Sequence, residues 1–297
     1  MPWIAFAIAA PALYAASSFI DKFLIEKRVK DPIALTILGG VTLFVASVLI
    51  FSIHGFGTYT AVEIAILLIA GLSTALALVP YYKALSLDDT SRIVPFFQII
   101  PVIILVLSYL FLGERLNVSQ TLAFILILLG AFTLSVQKFG AHLFKIRKSF
   151  WWAMFASILY AFPPVLFKFI VVNASFWDTA AYEFVGGMIG TLILLVAYRK
   201  RFTTQLPLLS VKTWFVVIVN EGVYFGAQLC NLFAIALGPI ALASAIISLN
   251  PFFVLVFGLI LSIWFPAIVK EDISKSTLRT KIVAIALILL GVWLINR

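Results

Sequence analysis

Cysteine is all but missing: Cys230 is the single one in 297 residues, so the chain forms no intrachain disulfide and holds no cysteine-clustered metal. Histidine is almost as scarce. His54 and His142 both fall in expected loops, and no glycine-rich phosphate loop opens a helix, so no catalytic constellation can be assembled. A single-chain ATP-driven pump is excluded on the same ground, and no metal or cofactor is expected. Charged residues make up only 11%. With no soluble basic domain to grip a duplex or a single strand, the net charge of +9 does not imply nucleic-acid binding. A basic n-region is also lacking ahead of the Ala-rich residues 5–16, which are therefore read as a retained first membrane span and not as a cleaved leader.

What fills the chain is apolar surface: 64% hydrophobic residues and a mean hydropathy of +1.17, far beyond what a soluble core can hide. Runs of roughly 18 to 25 apolar residues recur, each matching about 30 Å of hydrocarbon at about 1.5 Å per helical residue. Ten are expected, near 3–23, 33–53, 62–82, 91–112, 119–137, 150–172, 179–198, 213–237, 240–264 and 278–296. The fold class is an all-α membrane protein with ten transmembrane helices. Basic residues mark one face. Lys27, Arg28, Lys30, Lys83, Arg92, Lys138, Lys145, Arg147, Lys148, Arg199, Lys200, Arg201, Lys212, Lys270, Lys275, Arg279 and Lys281 sit at the odd-numbered loops, against Arg115 and Arg297 opposite. The positive-inside rule then puts the odd loops in the cytoplasm of a cell membrane and both termini outside.

The two halves repeat one pattern. Tyr14, Ser18 and Lys22 correspond in spacing to Tyr160, Pro164 and Lys168, and Asp31 with Gly39-Gly40 to Asp178 with Gly186-Gly187. Ala84-Leu85 recurs as Ala236-Leu237, Pro101 as Pro251, and Leu129-Gly130 as Leu290-Gly291. Five helices per unit force the second unit to insert upside down. The expected division is 1–137, a basic linker 138–149, and an inverted 150–297.

The eighth span is the unusual one. Glu221, Tyr224, Gln228 and Asn231 follow at helical spacing on one face, and a mid-membrane carboxylate costs about 2.5 to 3.5 kcal/mol unless it meets a cavity or a partner. Glu221 is accordingly expected to bind substrate or a proton, or else to pair with Lys168 or Arg92 or the amides around it. Tyr14, Tyr160 and Tyr224 share faces with polar residues and would stack on a planar or cationic solute, or hydrogen-bond within the core. Gln98 and Asn250 adjoin Pro101 and Pro251, where they would bind substrate or satisfy carbonyls freed by the prolines. Lys22 and Lys168 form a symmetric pair, read either as opposite gates or as stems snorkelling to the headgroups, with Asp21 either a partner for Lys22 or an interfacial charge. Glu183 is read either as a second cavity carboxylate or, with Asp178 and Trp177 nearby, as interfacial, the latter favoured; Glu63 is expected at the interface, and Trp151, Trp152, Trp177 and Trp264 as anchors. The Gly186, Gly187 and Gly190 spacing permits close helix approach, within the monomer or across a homodimer.

Tyr81, Ala84-Leu85, Pro101, the Gly113-Glu114-Arg115 turn, Gln120 and Leu129-Gly130 together resemble the repeat of the EamA family in the drug/metabolite transporter superfamily. The resemblance covers nearly the whole chain, and it implies two inverted five-helix bundles alternating access to a central cavity. Two features depart from the family's pattern. The second unit has no Gly-Glu-Arg turn but a longer loop with Lys270, Glu271 and Asp272, and cytoplasmic termini, commoner in the family, run against the charge bias here. Function is expected to be secondary transport, as export of a small organic metabolite such as an amino acid or amine, with proton coupling through Glu221. A lipid-linked flippase using the basic loops on anionic headgroups is the alternative.

Overall fold

The computed structural model describes residues 1–29, 31–88, 93–136, 147–205, 209–264 and 275–295. Most of the expected linker, His142, Arg92, the loop with Lys270, Glu271 and Asp272, and the side chain of Trp264 lie outside the described residues. The elements are α1 (Pro2–Lys27), α2 (Pro32–His54), α3 (Ala61–Leu87), a 3-10 segment (Val94–Ile99) leading into α4 (Ile100–Leu112), and α5 (Val118–Ser135). Then come α6 (Lys148–Val171), α7 (Phe176–Ala197), a short α8 (Arg199–Gln205), α9 (Val211–Leu237), α10 (Ile240–Ile247), α11 (Asn250–Trp264) and α12 (Lys275–Ile295). Among the described residues nine stretches are helical, long and apolar enough to cross a membrane, and Thr280–Ile295 is a shorter tenth. Val41, Phe44, Val45, Val48 and Leu49 leave an exposed apolar stripe on α2, suited to lipid and not to water. The chain is an all-α integral membrane protein.

Local chemistry sets the helix ends. Asp31 accepts from Ile33 N ahead of Pro32, and Thr60 with Glu63 and Asn117 with Gln120 form reciprocal capping boxes. Gly113, at φ +66, ends α4 in the left-handed region that a side chain would oppose. Three expectations need correction. The ninth span is not one helix but breaks into α10 and α11 just before Pro251, which has no N–H to donate and whose ring crowds the preceding turn. The fourth starts as a 3-10 segment ahead of Pro101 for the same reason. His54 is not in a loop: it closes α2 and stacks on Trp177, ring centroids 6.0 Å apart.

Small residues let the helices touch. Gly71 of α3 meets the backbone of α7 at Glu183, Gly186 and Gly187, and any Cβ on Gly186 would collide with the backbone of Leu68. These glycines therefore pack inside the monomer. α5 and α12 cross reciprocally: a Cβ on Gly130 would lie 2.8 Å from the Ala284 carbonyl, and one on Gly291 2.9 Å from the Ala123 carbonyl. That pairing is antiparallel, with the start of each helix beside the end of the other. α1 and α9 are instead joined by polar groups. Ser17 donates to Asn220 (2.9 Å), Asn220 to Asp21 (2.8 Å) and Tyr14 to Gln228 (2.6 Å).

Candidate functional site

Between α1, α2, α3, α6, α7 and α9 lies a cavity of about 890 Å³. One end carries exposed Lys22, Glu26 and Ser86, at the finish of α1 and α3. The other end is blind, reaching buried Glu183 and Phe184 on α7. Beyond it the molecule is sealed by apolar packing that includes Ile50, Leu67, Val165, Ala180 and Leu232. The mouth therefore faces the side of the loop after α1 and the loop after α3.

Glu221, Tyr224 and Gln228 of α9 all line this cavity. Gly39 of α2 makes room for the carboxylate, since a Cβ there would stand 3.2 Å from Glu221 Oε2. Tyr160 lines the wall from α6. Tyr14 is set behind the lining, where its hydroxyl orients Gln228 and its ring lies 5.4 Å from that of Tyr224. Lys22 lines the mouth, but the pairing with Asp21 is not made: Lys22 lies 3.9 Å from Glu26, and Asp21 is held by Asn220.

Other expected residues lie elsewhere. Asn231, three residues beyond Gln228 on α9, is not among the cavity-lining residues. Asn250 starts α11 and is likewise outside the lining. Gln98 donates to Ser135 Oγ (3.0 Å) and to the Ser248 carbonyl (3.4 Å), the second of which lies at the break before Pro251. Of the two roles expected for Gln98, satisfying a freed backbone group is the one the geometry provides. Lys168 neither reaches Glu221 nor snorkels: its Nζ donates to the carbonyls of Ile235 (2.9 Å), Ala236 (2.9 Å) and Gly238 (3.1 Å), capping the end of α9 on the sealed side. Glu114, in the turn after α4, accepts from Ile240 N at 3.0 Å and anchors α10 there. Burial raises the Glu114 pKa above the ordinary carboxylate value, against the lowering pull of that hydrogen bond and of Lys168.

Of the two readings of Glu183, the structure provides the less favoured one: it is 3% exposed, lines the blind end, and its Oε2 has no hydrogen-bond partner among the described residues. Sequence reasoning also passed over Asn220, Tyr81 and Tyr82, which line the cavity with it. The Asn220-Glu221 pair within α9 and the Tyr81-Tyr82 pair near the end of α3 were the available signals. Among the described lining residues, Asp21, Glu26, Glu183 and Glu221 face a single cation, Lys22. With Tyr81, Tyr82, Tyr160, Tyr224, Phe184 and Phe225 around them, the surface can compensate a positive charge both by ion pairing and through ring faces.

Comparison with known proteins adds the following. A solved crystal structure aligns over 99% of this chain and 96% of its own with a TM-score of 0.69 at 14% identity, a likeness of fold. A curated relative from Sinorhizobium sp., described as an uncharacterized transporter in the cobO 3' region, is 36% identical over 70 residues, 24% of this chain. The chain spans half the length of that relative. The EamA-like transporter family model matches residues 1–136. Residues 1–136, the first of the two expected units, are thus similar to the EamA-like transporter family, which falls within the drug/metabolite transporter superfamily.

Proposed function

We propose that this protein is a secondary transporter of small organic amines, carrying them by alternating access between two inverted five-helix halves. The observation that carries the reading is the cavity itself: its described lining holds four carboxylates against one lysine, with six aromatic rings, and a cationic head with an apolar body matches both kinds of wall. Glu221 is its central group. A carboxylate kept at membrane depth and reachable through a mouth is suited to exchange a proton or a cation. An enclosed acidic pocket favours a soluble solute over an anionic lipid headgroup, which these carboxylates would repel.

Alternating access draws support from the reciprocal crossing of α5 and α12 and from the antiparallel pairing of α1 with α9. Under the positive-inside rule the mouth opens to the cytoplasm, where Lys27, Arg28, Lys83 and Arg147 gather, and a substrate loaded there is exported. Lys168 and Glu114 hold the opposite end shut by tying α6 and the α4–α5 turn to the end of α9 and the start of α10.

The test is counterflow in proteoliposomes with a panel of primary amines, carboxylic acids and neutral sugars. Amines exchange, and Glu221→Gln lowers the rate by at least about tenfold, the factor that about 1.4 kcal/mol supplies, while the melting temperature of the purified protein is kept. Exchange confined to acids or sugars, or full amine exchange by Glu221→Gln, overturns the reading.

A further inference from the structure

We infer that the cavity is built for a molecule with two cationic ends, a linear diamine or polyamine, with Glu183 holding the deep ammonium and Glu221 the shallow one. The inference rests on the amine reading above and adds the substrate class. Its independent observation is Glu183: a side chain 3% exposed, aimed into the blind end, with Oε2 unpartnered among the described residues. Among the described residues no cation compensates a carboxylate so placed, and leaving it ionised without a counter-charge is costly. An ammonium delivered by the ligand completes it, as a charge-assisted hydrogen bond.

Helix register supplies the spacing. α2 and α7 run antiparallel, with Gly187 against Leu43 and the Tyr182 hydroxyl donating to the Phe56 carbonyl. Glu183, four residues before Gly187, is therefore level with residue 47 of α2, whereas Glu221 packs beside Gly39. Those two levels are eight residues apart along α2, about 12 Å at about 1.5 Å per residue, before the side chains reach toward a ligand. A monoamine answers one of the two carboxylates and leaves the other unbalanced. A diamine answers both, and its second contact forms at high effective concentration when the linker matches the span. Apolar lining residues such as Leu43, which falls between those two levels on α2, together with Phe184 and Phe225, suit a methylene chain.

The experiment is isothermal titration calorimetry on the full chain in detergent with 1,4-diaminobutane, 1,6-diaminohexane, 1,8-diaminooctane and, as the single-ended control, 1-aminohexane. Expected are an affinity maximum within the diamine series, an advantage of at least about tenfold over 1-aminohexane, and collapse of that advantage in Glu183→Gln. Equal affinity for mono- and diamines, or an advantage that survives Glu183→Gln, overturns this inference while leaving the amine reading intact. Binding of neither amine overturns both. Should Glu183→Gln not fold, the unmodified protein decides: 1,6-diaminohexane blocks carbodiimide labelling of Glu183, read by peptide mass, and labelling that proceeds undiminished overturns the proposal.

Discussion

At the residue scale, two charged groups seal the end of the molecule opposite the mouth, and one of them titrates outside the membrane spans. Burial raises the Glu114 pKa, so the folded state holds its proton more tightly than the unfolded chain does. Stability from this group is therefore greatest on the acid side and declines as pH rises from the ordinary glutamate value, about 4.3, through the raised one. Glu114→Gln keeps an acceptor for Ile240 N and removes the decline. Melting curves between about pH 4 and pH 7 should show the variant gaining on the parent as pH rises; parallel curves would assign Glu114 no such role. Lys168, by contrast, was legible only as a charge near a helix end. Its three carbonyl partners come from the end of α9 and from Gly238 just past it, 67 to 70 positions further along the chain, and no spacing rule reaches that far.

At the element scale, close helix approach is the organising contact, and glycine position decides where it occurs. Gly130 and Gly291 press α5 and α12 together on reciprocal backbone carbonyls, whereas nothing lies within 4 Å of a Cβ placed on Gly222 in α9. Gly130→Val and Gly291→Val should each destabilise by about 1 to 3 kcal/mol, the usual cost of overpacking, and Gly222→Ala should change little. Thermal melting monitored by size-exclusion recovery distinguishes them, and equal melting of all three would remove the crossing from the account of stability. Helix existence was legible because each span carries its own apolar run and caps such as Thr60 and Glu63. Helix continuity was less so. At the split between α10 and α11 before Pro251, the Ser248 carbonyl is met by Gln98 from the distant 3-10 segment.

At the scale of the whole molecule, the charge bias and the position of the mouth make one joint statement about orientation. In a Cys230→Ser background, a cysteine at Ser86 should react with a membrane-impermeant maleimide only from the cytoplasmic side, and one at Met1 from outside without breaching the membrane. Labelling of Met1→Cys only after permeabilisation would reverse the assignment and turn the mouth outward. The cavity was partly legible in the same way. Glu221, Tyr224 and Gln228 share a face by spacing alone, and the structure brings all three to one wall. For Glu183 the interfacial reading was favoured because Asp178 and Trp177 precede it, and only the contact of Gly71 with α7 carries it to the blind end.

Membrane class, span positions and the polar stripe of α9 follow from the chain read in order. Hydrocarbon offers no water to backbone groups, so each span must be helical and apolar within its own length, which is a local condition written in local residues. Which acids face the cavity, which lysine is consumed in capping a helix, and how deep the pocket reaches were decided by tertiary structure. Those outcomes depend on partners such as Ser17 and Asp21 with Asn220, about 200 positions apart, and burial of a charge is a property of what packs around it.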